Sequence, residues 1–169
     1  MFFRKEKQAE ETQSQDKEQE YSAAPGTDIR FDPSLIAGLK GDHQTLLSLY
    51  RETKSAFDAK RYKAVSEKLD KFRSALQAHL LTENIRLYIY LSHMFKTDET
   101  NFELIRGFRR EMDDIAKTAL NFLRKYEAIG VDPELAPSFE KDFDIIGQVL
   151  GTRIQKEESV LYPLYVAQY

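Results

Sequence analysis

Residues 79–83 read HLLTE, and residues 153–157 read RIQKE. Each stretch holds an ionisable pair four residues apart: His79 with Glu83, and Arg153 with Glu157. Residues at i and i+4 share one face of an α-helix. That face is otherwise apolar in both stretches. Around HLLTE it carries Val65, Leu69, Phe72 and Leu76, then Leu87 and Tyr90. Around RIQKE it carries Phe139, Phe143, Ile146 and Leu150, then Leu161 and Leu164. The charged groups are therefore expected to point into a core. An unpaired buried charge is expensive, so these groups must pair with one another or hold a cation.

Outward from these pairs, four helical patterns emerge, each advancing by 3 or 4 residues. The first starts at Asp32-Pro33-Ser34, with proline near the helix start, and carries Ile36, Leu39, His43, Leu46, Tyr50 and Phe57. The second runs from about Arg61 to Met94 and contains HLLTE. A polar break at residues 96–100 precedes the third, which carries Leu104, Phe108, Glu111, Ile115, Ala119, Phe122 and Tyr126. Gly130 reads as its C-terminal glycine, with a stop at Asp132-Pro133. The fourth starts near Pro137, contains RIQKE, and ends or kinks at Pro163. Strand signals are absent. Four helices with short connections predict an all-α, up-down-up-down antiparallel four-helix bundle. Gly38, Gly41, Gly107, Gly147 and Gly151 fall within the helical patterns and predict close helix approach.

The stripes show a weak pairwise symmetry. The first and third helices each place one ionisable group on the apolar face, and the second and fourth each place an i, i+4 pair. Antiparallel packing is expected to bring His43, His79, Glu83, Glu111, Arg153 and Glu157 to one level of the bundle.

The chain of 169 residues is 41% hydrophobic, enough for one core. Residues 1–28 read as a disordered, charged tail and linker, because after Phe3 no large apolar residue occurs until Tyr21. Residues 29–169 read as the bundle. With 25 basic and 28 acidic side chains, the formal charge of -3 gives no support for a nucleic-acid binder. The absence of cysteine excludes disulfides and thiolate ligands. No run approaches the roughly 20 apolar residues of a membrane helix, and MFFRKEKQ lacks the apolar core of a secretory signal. A cytoplasmic protein is expected.

His43, His79, Glu83, Glu111 and Glu157 offer two imidazoles and three carboxylates. That donor set suits non-haem iron, manganese or zinc. Arg153 has five donors and no lone pair, so it cannot ligate a cation. It is expected to act as a structural counter-ion, forming a forked salt bridge with Glu111, Glu157 or Glu83. An Arg-Glu-His network without metal is the alternative. Glu158 falls off the stripe, and Tyr88, Tyr90, Tyr162 and Tyr165 read as packing residues. No nucleophile–base arrangement, phosphate loop or dinucleotide motif occurs, so enzymatic activity is not expected.

These residues resemble the hemerythrin-like (HHE cation-binding) family. That family is a four-helix bundle with a histidine on its first helix and H-x-x-x-E on its second. A histidine follows on the third, and H-x-x-x-E-E with L-[FY]-P on the fourth. Here GDHQTLL supplies His43, and HLLTE supplies His79 and Glu83. RREMD places Glu111 where the third-helix histidine falls. RIQKEESVLYP matches at Glu157, Glu158, Leu161, Tyr162 and Pro163, with Arg153 in place of the leading histidine. The likeness implies an iron centre (di-iron included) or a manganese centre, and a sensing or signalling role. Two missing imidazoles argue against reversible oxygen carriage. A second, shorter likeness joins EKLDKFRSALQ and DIIGQVLGTRIQKEESVL to the regulator of sigma D family. Those are helical bundles that sequester the housekeeping sigma factor of bacterial RNA polymerase. It implies a metal-free protein with a partner in the transcription machinery. A small redox enzyme is the third and weakest expectation.

Overall fold

The structure, a computed structural model, describes residues 21–167. It is an antiparallel bundle of four helical rods, with no β-strand among the described residues. The first rod is α1 (Leu35–Asp58). The second is α2 (Tyr62–Thr82), which continues through a π-helical segment (Glu83–Tyr88) into α3 (Ile89–Met94). The third is α4 (Glu99–Tyr126). The fourth is α5 (Ala136–Lys156), prolonged by a second π-helical segment (Glu157–Leu161).

Local chemistry sets the ends of the rods. Asp32 accepts the Ser34 N–H at 2.9 Å just ahead of α1. At the far end Lys60 takes a left-handed φ of 56°. The Arg61 N–H reaches back to Ala56 O at 2.9 Å, so α1 turns sharply into α2. Asp98 caps α4 by accepting the Asn101 N–H at 3.1 Å. A 3-10 turn at Pro133–Leu135 leads into α5. Gly130 does not adopt a positive φ, contrary to its expected capping role. A side chain there would instead press on Lys63 Cα and Ser66 Cβ, each 3.3 Å from an added Cβ. Of the five helical glycines, only Gly147 has a close neighbour, the ring of Tyr50. Gly38, Gly41, Gly107 and Gly151 face open space, so the expected close approach does not occur there.

The interior consists of two apolar clusters with a polar level between them. One cluster holds Leu46, Leu69, Phe72, Leu76, Phe122, Phe139, Phe143 and Leu150 among others. The other includes Leu35, Leu39, Leu87, Tyr90, Leu91, Ile105, Phe108 and Leu161. Each rod passes from one cluster to the other at a fixed point. On α1 it lies between Leu39 and Leu46, on the second rod between Leu76 and Leu87, and on the fourth between Leu150 and Leu161. The charged pairs of the sequence stand at those crossings. Each large apolar side chain buried contributes about 1.5–3 kcal/mol, so the clusters hold the polar level from both sides.

Two readings of the sequence change here. The buried face of α4 is Ile105, Phe108, Met112, Ala119 and Phe122, so Leu104 and Glu111 lie one position off it. Residues 21–28, read as linker, fold back on the bundle. Ala24 is buried in the second cluster, Ala23 bridges to Arg30, and the Tyr21 and Phe31 rings meet in a T-shaped contact. The expected disorder of residues 1–20 lies outside the described residues. No helix among the described residues is long and apolar enough to cross a membrane.

Candidate metal centre

Five of the six expected groups converge. His43, His79, Glu83, Arg153 and Glu157 are at most 4% exposed, whereas Glu111 is 45% exposed. One ligand atom each from His43, His79, Glu83 and Glu157 can be chosen so that all four lie within 4.8 Å of one another. Glu111 stands outside this set and pairs with Arg153 at 3.3 Å and Lys156 at 3.2 Å.

Carboxylates behind the imidazoles orient them. His43 Nδ1 lies 2.8 Å from Glu158, and His79 Nδ1 lies 3.3 Å from Asp42. With Nδ1–H donating outward, each Nε2 faces the interior, the tautomer that metal ligation uses. His43 Nε2 lies 3.1 Å from Glu157 Oε2, and His79 Nε2 lies 3.7 Å from Glu83 Oε1. The two rings are 4.7 Å apart.

Arg153 closes the opposite side. Its Nε donates to Glu157 Oε1, its Nη2 to the Tyr88 hydroxyl at 2.7 Å, and its Nη1 to Glu111. The guanidinium also lies 4.7 Å from the centre of the Phe108 ring, a cation–π contact. Tyr162 donates to Glu83 Oε1 at 2.8 Å and lies 3.2 Å from His43 Nε2. Tyr88 and Tyr162 were read as packing residues, yet both hydroxyls enter the polar level. A repeated spacing marks them in the sequence: each follows a motif glutamate by five residues, Glu83 to Tyr88 and Glu157 to Tyr162.

Both π-helical segments begin at the motif glutamates. An i→i+5 bond encloses one more residue than an α-turn, and such turns concentrate at functional sites. Here Glu83 with Leu87 and Tyr88 is buried, as is Glu157 with Leu161. The extra residue thus lets carboxylate, leucine and tyrosine all face inward.

The electrostatics separate the two carboxylates. Burial, with the Glu157 charge adding to it, pushes Glu83 up to about 8. Burial also acts on Glu157, but hydrogen bonds from His43 and Arg153 outweigh it and hold Glu157 below the usual range. For His43 burial works against the charged form, yet Glu157 and Glu158 outweigh it and raise its pKa. His79 is lowered, first by burial and then by His43. Glu83 Oε2 is buried without any hydrogen-bond partner. An unsatisfied carboxylate oxygen among three other donors is what a cation would complete.

Two imidazoles and two carboxylates inside antiparallel helices define a class: helical-bundle proteins whose interior can hold a cation. A family model described as the hemerythrin HHE cation binding domain matches residues 34–165, and the chain belongs to that family. Neither curated proteins nor solved structures gave a match.

Proposed function

We propose that this chain is a sensing or regulatory module that binds one iron or manganese ion through His43, His79, Glu83 and Glu157. The observation that carries this reading is Glu83 Oε2, a buried oxygen without a partner beside three further donors. Imidazole and carboxylate together suit these metals. A bound divalent ion would supply a Lewis acid and, with iron, a one-electron redox centre. Asp42 and Glu158 hold the imidazoles in register for it. In this reading Glu111 serves Arg153 and Lys156. Arg153 puts a permanent cation on the far side of Glu157, which limits the centre to one metal ion.

Glu83 and His43, the two groups inclined to hold protons in the bare site, are the groups a cation needs unprotonated. Binding of manganese(II) at pH 7 is therefore expected to release about one to two protons per ion. Calorimetry in buffers of different ionisation enthalpy measures this. Binding without proton release would contradict the ligand set.

A second reading is favoured by the Arg153 network, which neutralises Glu157 with no ion. It is a metal-free bundle that sequesters a protein partner, such as the sigma factor suggested by the regulator of sigma D likeness. Chelator separates the two readings. A metal module loses thermal stability in it, and a metal-free bundle does not.

A further inference from the structure

A cavity of about 130 Å³ lies in the first apolar cluster, directly against the polar level. Leu46, Phe72, Leu76, Met112, Leu150 and Ile154 supply most of its wall. His43, His79, Arg153 and Glu157 form one end. Protein interiors keep few voids larger than a water molecule. An apolar cavity of similar size stays dry and accepts benzene or xenon. The side nearest solvent is marked by half-buried residues, Leu47 and Tyr50 from α1 and Gly147 and Ile154 from α5. There the Tyr50 hydroxyl donates to Phe143 O at 3.1 Å and fills the notch left by Gly147.

We propose that this cavity binds a small apolar molecule, one aromatic ring or a chain of about six carbons, and presents one end of it to His43 and His79. The wall offers almost no polar group except at that end, so a neutral hydrocarbon body fits and a charged one does not. The volume sets the upper size: one ring fits, and two fused rings do not. The proposal stands on the cavity alone and does not require a bound metal.

The test is a titration of the full chain, dialysed against chelator, with benzene and with naphthalene, read by methyl NMR. Saturable, one-to-one shifts with benzene are expected at the methyls of Leu46, Leu76, Met112, Leu150 and Ile154. Naphthalene is expected to give none. Leu150→Trp, which fills the cavity, should weaken benzene binding at least tenfold. Leu46→Phe fills the same space from α1 should the first variant fail to fold. No saturable shift with benzene in the wild-type chain would overturn the proposal. So would equal shifts from naphthalene, or benzene binding unchanged in a folded filled variant. Because the protein is metal-free throughout, failure of the metal reading would leave this result intact.

Discussion

At the scale of single residues, Glu83 carries most of the tension in the site. Folded, its carboxyl holds a proton up to about pH 8, whereas the ordinary value is 4.5. Between those values the folded chain binds a proton that the unfolded chain has lost, so stability falls as pH rises. His43 has the same sign, because its raised pKa gives stability below the ordinary imidazole value that is lost as pH climbs through the folded one. Glu157 has the opposite sign, and its contribution is lost only as pH falls through its lowered pKa. His79, with its lowered pKa, opposes this loss up to the ordinary imidazole value of 6.5, so the metal-free protein is expected to lose stability from about pH 6.5 to pH 8, by at most about 1.4 kcal/mol per pH unit for each group. Denaturation across that range checks this, and Glu83→Gln should flatten the slope. A slope of the other sign would exclude a proton-bearing Glu83. Arg153 makes the second prediction at this scale. Arg153→Met leaves Glu157 Oε1 and the Tyr88 hydroxyl without their partner, at a cost of roughly 3–5 kcal/mol in the metal-free chain. The same variant removes a competing charge beside Glu157, and manganese affinity should rise by at least about tenfold. Competition titration measures it, and an unchanged affinity would remove Arg153 as the group that limits the site.

At the scale of elements, α1 and α5 meet where Tyr50 and Gly147 interlock. A methyl at 147 would overlap the Tyr50 hydroxyl, so the ring must move and its bond to Phe143 O is lost. Gly147→Ala is expected to destabilise the chain by about 1–3 kcal/mol, measured by urea denaturation. A change within about 0.5 kcal/mol would mean that Tyr50 relocates without cost. The rods themselves were legible in the sequence because the apolar residues step by 3 and 4, and because Asp32-Pro33-Ser34 marks a start, the polar stretch 96–100 a break and Asp132-Pro133 a stop. The phase of α4 was not. Leu104 and Ile105 are adjacent, and Glu111 and Met112 are adjacent, so two stripes one residue apart both fit the helical period. Burial selects Ile105 and Met112, which moves Glu111 to the rim. The π-helical segments were also hidden, since one extra residue in a turn changes spacing but not composition. Their trace is the five-residue step from glutamate to tyrosine, and it explains why Tyr88 and Tyr162 read as packing although their hydroxyls serve the site.

At the scale of the whole molecule, two apolar clusters enclose one charged level, and every rod contributes to holding it. Both i, i+4 pairs and His43 were legible because ionisable groups on apolar stripes have few places to go. Their mutual arrangement required the fold. His43 and Glu157 are 114 positions apart in sequence yet share a hydrogen bond, and no local pattern shows which oxygen of which glutamate remains without a partner. The account depends on that vacancy in hydrogen bonding being completed by one cation. Metal analysis of the protein purified from cells grown in iron- and manganese-rich medium, alongside the His79→Ala, Glu83→Ala variant, tests it most directly. The account predicts about one metal ion per wild-type chain and none in the folded variant. A wild-type chain purified from that medium without metal, or equal metal content in the variant, would contradict it.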